Sequence, residues 1–494
     1  MHLPGNLNSN DHETENHEDK IVLWSSQGIP AGKRGEALKE VAVLWLRQGI
    51  LSGKTSSVMR GLTDILFYPA FAFCFIWVFV SDSTMFSKVM TDSFKESMTQ
   101  CYHFAVFSAL LCAVTAMLAQ ESVQLAVFET ILLIAGYSSY KIGGQKFSYF
   151  VLCVLIVGAT GRSFRKILYI SFAAGCLVMA AAYAGCRMGI IEDLVYRGGR
   201  HSFGMVYCTD CAAHILFLML YYAMIRFPDF KRADYAVLLF GLLFMWKTGG
   251  KTNMICAVLL TGLIVSTRCL RRKPFRRLVR NRKIRMSGRA VFAALCFSFP
   301  VCAAFSFAAA LFIPSDSPRI KPLGHTIAKR LELSLRALQE NPFSFFGTKI
   351  REHNFGGRTT NLPGWDKYFF IDCSYIRLYL FGGAILFLLF LTVLTCAQVR
   401  CFLSRQYVYS AMLLIAALVC IMEHHLVDFS FNVFPLMAFS GRSFFAKKAV
   451  RSRAKQIAEP PGKQPAEDPE KLPAEPPEKQ PEGLPGKQPV DEKG

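Results

Sequence analysis

Several polar groupings in this chain have the residue types and spacing to do chemistry. Glu423, His424, His425 and Asp428 fall together, with Asn432 just beyond. A carboxylate beside an imidazole is an acid/base unit, because one member can hold the proton that the other releases. The stretch Arg197-Gly-Gly-Arg-His-Ser-Phe-Gly204 offers two guanidinium groups, a histidine and three glycines. Arginine grips phosphate oxygens through paired N–H bonds, and glycine lets backbone approach a bound group closely. Asp210 and His214 lie four apart, so a helix puts both on one face, where they either pair with each other or serve a substrate. Glu129 stands alone within an apolar run. Ile327, Leu331, Leu335 and Leu338 recur at helical spacing between a capping Thr326 and Asn341-Pro342, and the other face carries Lys329, Arg330 and Arg336. No ligand set at fixed spacing such as HExxH occurs, so no metal is expected. Cys208 and Cys211 form a CxxC inside an apolar run, which is no setting for a redox pair.

The elements that must position these groups are membrane helices. Hydrophobic residues make up 52% of the 494 and charged residues only 18%, more apolar than a soluble enzyme of this length. A crossing needs roughly 20 apolar residues, each backbone group bonded within its own helix. Such runs lie near 62–80, 102–119, 123–140, 147–160, 167–187, 205–225, 235–247, 253–267, 290–313, 375–398, 407–422 and 430–446. The reading is an all-α, polytopic transmembrane bundle of about 12 spans. A long extracytoplasmic loop, 314–370, carries the amphipathic helix. The net charge of +21 is concentrated in short loops, as orientation of a membrane protein requires, and not in a nucleic-acid surface. Arg268 to Arg289 holds eleven cations and no acid, so it belongs inside. That places both termini in the cytoplasm and the polar groupings above, apart from the intramembrane Glu129, at the outer face. The domain pattern is a cytoplasmic segment 1–61 with an interfacial helix at Val41 to Leu51, a membrane domain 62–446, and a tail 447–494. In the tail, proline recurs every fourth residue from Pro461 to Pro489, which favours a disordered, partly polyproline II chain.

With these residues in order, the chain resembles the O-antigen polymerase and O-antigen ligase group of integral membrane enzymes, above all the capsular and exopolysaccharide polymerases. Arg200-His-Ser-Phe-Gly204 is similar to the Arg-x-Ser-Leu/Phe-Gly element of that group, although Tyr207, Cys208 and Thr209 replace its following His-Pro-Asn. Lys251-Thr252 stands where the group often has Arg-Thr. Lys329-Arg330 with Phe345-Phe-Gly347 resembles its Gly-Arg helix and Leu-Phe-Gly turn, and Ile371-Asp-Cys-Ser-Tyr375 its Ile-Asp-Asn-Ser-Tyr. Glu423, His424 and Asn432 resemble its closing outer turn.

The resemblance implies a polysaccharide polymerase in a bacterial cytoplasmic membrane, joining polyprenyl-diphosphate-linked oligosaccharide repeat units at the outer face, without cofactor or obligatory metal. It makes Glu423, His424 and Asp372 the alternatives for the general base. It makes Arg197, Arg200, Lys251, Arg330, Arg336 and Tyr375 the diphosphate and glycan contacts. The implied partners are the lipid-linked donor, the glycan acceptor, membrane lipids and a chain-length regulator or another polysaccharide-assembly protein. A ligase of the same group and a flippase for the same lipid-linked glycan are the competing readings. A transporter would keep its site near the midplane between internal repeats, and no repeat is visible.

Overall fold

The computed structural model describes residues 53–441 apart from 121, 145–146, 197, 271–289, 292, 315–324 and 353–368, and gives backbone alone for 53–60, 270 and 325–326. The interfacial helix expected at 41–51, Arg197, most of the basic loop and the proline-rich tail therefore lie outside the described residues.

Among the described residues, seven helices are long and apolar enough to cross a membrane. They are α1 (Gly53–Val78, continuing as a π turn Phe79–Ser83), α3 (Asp92–Leu118), α4 (Val123–Lys141), α6 (Phe164–Arg187), α7 (Cys208–Arg226), α9 (Lys251–Leu270) and α12 (Ser374–Leu403). Shorter helices complete the bundle: α2 (Phe86–Val89), α5 (Ser148–Gly158), α8 (Arg232–Thr248), α10 (Ser298–Phe312), α11 (His325–Glu340) and α13 (Tyr407–Met422). Local sequence sets their ends. Thr91 and Ser122 accept the backbone N–H groups of Phe94 and Leu125 at 3.3 Å, capping α3 and α4. Gly249, at φ +66°, closes α8 in the left-handed region and turns the chain straight into α9.

Apolar side chains cover the outside of the bundle as well as filling its core, and several polar ones are drawn inside. Phe104, Leu177, Phe240, Ile255 and Leu388 are exposed, whereas Glu129, Asp210, His214, Gln398 and Asn432 are buried. That arrangement suits a hydrocarbon surround, where apolar side chains cost nothing at the surface and polar ones must find partners within. Glu129 accepts a 2.6 Å hydrogen bond from Thr160, and Gln398 bonds Ser298 and Ser410. Helix α7 is buried on nearly every side and forms the centre.

The run at 430–446, expected as a final span, is described as far as Gly441, and to that point it departs from helix. Beyond Met422 the chain continues to Gly441 as irregular, mostly buried backbone with one 3-10 turn, Phe434–Met437. It begins at the end of the bundle that holds Glu423 and finishes at the other, where Phe439 and Gly441 bond Gly161 and Arg162 and Arg400 donates to the carbonyls of Met437 and Ala438. Irregular backbone survives at such depth only where protein satisfies it. Tyr221 does so by accepting from Val433 N–H at 3.1 Å while donating to the Phe431 carbonyl. Asn432 bonds Leu426 O at 2.8 Å and Phe434 N–H at 3.1 Å.

Candidate functional site

Two polar clusters meet at the Glu423 end of the bundle. The first contains the residues singled out by sequence. Arg330, on α11, sits 3.1 Å from Asp372 and 3.5 Å from Glu423 and also donates to the Met422 carbonyl. One guanidinium therefore serves two carboxylates. Burial raises Glu423 to about 7 even though Arg330 pulls it down, and burial likewise raises Asp372 against the pull of Arg330 and Arg377. Ser374 fixes the turn by donating to Glu423 O and accepting from Leu426 N–H. Arg330 and Asp372 border a pocket of about 210 Å³ whose other walls are largely apolar, including Phe305, Ile327, Leu331 and Ile421.

The second cluster opens on a cavity of about 700 Å³. Its wall carries Asp82, Lys88, Asp210, Lys349, Arg351, Glu352, Arg377, His424 and Asp428. The loop that brings Lys349 to Glu352 here is locked onto α12. That helix widens into a π turn at Leu378–Gly382, and Thr348 N–H bonds Leu380 O at 2.9 Å while Ala384 N–H bonds Ser344 O at 3.0 Å. Gly347, at φ +92°, presses so closely on Phe381 O that no side chain fits. Arg377 then pairs with both carboxylate oxygens of Glu352, 2.7 Å for Nη2 to Oε2, and lies over the Phe370 and Phe381 rings. Glu352 also accepts Ile371 N–H at 3.0 Å. Lys88, Lys349 and Arg351 make no ion pair among the described residues.

A column of rings runs behind this wall. Phe79, His214, Phe431 and His425 stack at centroid spacings of 3.6, 3.6 and 3.7 Å, and His424 follows at 4.1 Å. His425 is buried, and burial with Arg377 and Arg330 close by pushes it down to about 3, so its ring is neutral. Asp210 faces His425, with Oδ1 3.7 Å from Nε2. Of the two readings the sequence left open for Asp210 and His214, mutual pairing does not form among the described residues: His214 is sandwiched between Phe79 and Phe431.

Of the remaining sequence candidates, Arg200 packs against Gly249 at the turn into α9, where Lys251 is exposed. Its neighbour His201 bonds Asp193 at 2.7 Å within the hairpin of β1 (Val195–Tyr196) and β2 (Arg200–His201). Neither Arg200 nor Lys251 borders the large cavity. Arg336 pairs with Glu340 on the exposed face of α11. Tyr375, expected as a glycan contact, is fully buried in the bundle, and its hydroxyl donates to Ala417 O at 2.9 Å. Sequence reasoning passed over Arg377, Glu352, Lys88 and Lys349; an arginine at the head of an apolar run was the signal available for the first of these. Comparison with family models, curated proteins and solved structures returned no match.

Proposed function

We propose that the chain is a bacterial cytoplasmic-membrane glycosyltransferase that joins lipid-diphosphate-linked oligosaccharide units at the membrane face onto which the large cavity opens. One observation carries this reading. A cavity of about 700 Å³ at the helix ends combines cations that make no ion pair among the described residues with carboxylates and a histidine. Cleavage of a glycosyl diphosphate leaves negative charge on phosphate oxygens, which Lys88, Lys349 and Arg351 can stabilise as it develops. The acceptor hydroxyl must lose a proton, and His424, Asp210 and Asp428 lie on the same wall to take it. The role assigned by sequence to Arg330 passes to these cations, because its guanidinium is already engaged by Asp372 and Glu423.

Purified protein in liposomes, given a polyprenyl-diphosphate oligosaccharide as sole substrate, is expected to yield a ladder of longer glycans on a gel. Lengthening that requires a separate acceptor lipid would identify a ligase. Movement of the glycan lipid across the bilayer without lengthening would overturn the transferase reading in favour of a transporter.

A further inference from the structure

Asp210, in the first turn of α7, and His424 and His425, in the turn after α13, bring a carboxylate oxygen and two imidazole nitrogens within 4.8 Å of one another. His425 is 1% exposed and neither of its ring nitrogens has a hydrogen-bond partner among the described residues. A buried imidazole left so is costly unless something else occupies its lone pair. Its Nε2 lies 3.7 Å from Asp210 Oδ1, too far for a hydrogen bond. That gap is close to the roughly 3.4 Å between two ligands of one tetrahedral ion with bonds of about 2.1 Å. The ring is held in place by its stack on Phe431, whose carbonyl is held by Tyr221. Asp210 and His424 also border the large cavity, and Asp82 and Asp428 add negative charge to the same wall against the cationic Arg377.

We infer that Asp210, His424 and His425 bind a divalent first-row transition cation, of the zinc or manganese kind, with its remaining coordination positions turned toward the cavity. Two imidazoles and one carboxylate are the donor set such ions take, and open positions would accept an anionic oxygen. The inference replaces the sequence expectation of no metal, and it shares Asp210 and His424 with the proposed glycan site: with the ion bound, Asp428 is the member of that wall left to take the acceptor proton, and metal binding is measured without substrate so that the two readings fail separately.

The full-length protein, purified in detergent, stripped with chelator and dialysed against Zn²⁺ or Mn²⁺, is assayed for retained metal by mass spectrometry. About one equivalent is expected for the wild type and at least a tenfold loss for His425→Ala and Asp210→Asn. His214→Ala, which disturbs the same ring stack without offering a ligand, is expected to retain the metal. If His425→Ala does not fold, the isosteric Asp210→Asn decides, its integrity checked by size exclusion. Wild-type protein with no more metal than the detergent blank, or Asp210→Asn protein with as much as wild type, would overturn the site.

Discussion

The two clusters at the Glu423 end are built from the same residue types and differ in how their charges are spent. Around Arg330 every named carboxylate has a cation within 3.5 Å, and the adjoining pocket is small and mostly apolar. Around His424 the cations and acids are spread over an open wall, with one arginine committed to Glu352 and three other basic groups left for a ligand. Paired charge inside a bundle holds helices, here α11 against the turn after α13, whereas unpaired charge facing a cavity awaits a partner. Residue type alone would have ranked the first cluster as the site. The pairing pattern favours the second.

The sharpest way to break this contrast is Arg330→Ala. It would leave Asp372 and Glu423 buried without their cation, a loss of about 3 to 5 kcal/mol for removal of one partner of a buried ion pair. Thermal unfolding in detergent is expected to show a large drop, partly restored when Glu423→Gln is added, since the second change removes the orphaned charge. An unfolding temperature equal to wild type, with activity abolished, would show that Arg330 meets substrate and that the clusters have been assigned the wrong way round.

How much of this was legible beforehand differs by residue. Hydropathy gave the helical bundle, because a membrane helix needs only a long apolar run. Asp372, Arg330 and Glu423 were each singled out from sequence, but as separate base and phosphate-binding candidates; that they meet and neutralise one another depends on α11 folding back over the turn after Met422, which no local spacing encodes. The irregular course of 423–441 was hidden for a different reason. Hydropathy measures burial, and a buried non-helical strand of chain is as apolar as a helix; Pro435, with Asn432 and Gly441 on either side, was the local sign against helix. Arg377 and Glu352 were missed because their pairing joins a loop to a helix that only the three-dimensional fold brings together.

Lys349→Ala sharpens the contrast from the open side. Its ammonium borders the cavity with no ion-pair partner among the described residues, so its removal should leave unfolding unchanged. Glycan lengthening in liposomes is expected to fall by about ten- to a hundredfold, the value of one charge-assisted contact to phosphate. Lys349→Arg should recover most of it. A loss of stability equal to the loss of activity would place Lys349 with the structural charges and weaken the distinction.

The smallest effect is expected at Arg336, on the same helix as Arg330. Its guanidinium meets Glu340 at 2.6 Å, with both side chains about half exposed, and its other neighbour is the ring of Phe369 at 5.6 Å. An exposed pair one helical turn apart contributes only about 0.3 to 0.5 kcal/mol, because water screens it and ordering two long side chains opposes it. Arg336→Ala should therefore shift unfolding barely beyond error and leave the glycan ladder as long as in wild type. The comparison with Arg330, two turns away, isolates burial as the variable: the charge is the same, and only its surroundings differ. A shortened ladder from a stable Arg336→Ala protein would mean that the exposed face of α11 touches glycan, and the binding surface would then extend beyond the cavity onto that helix.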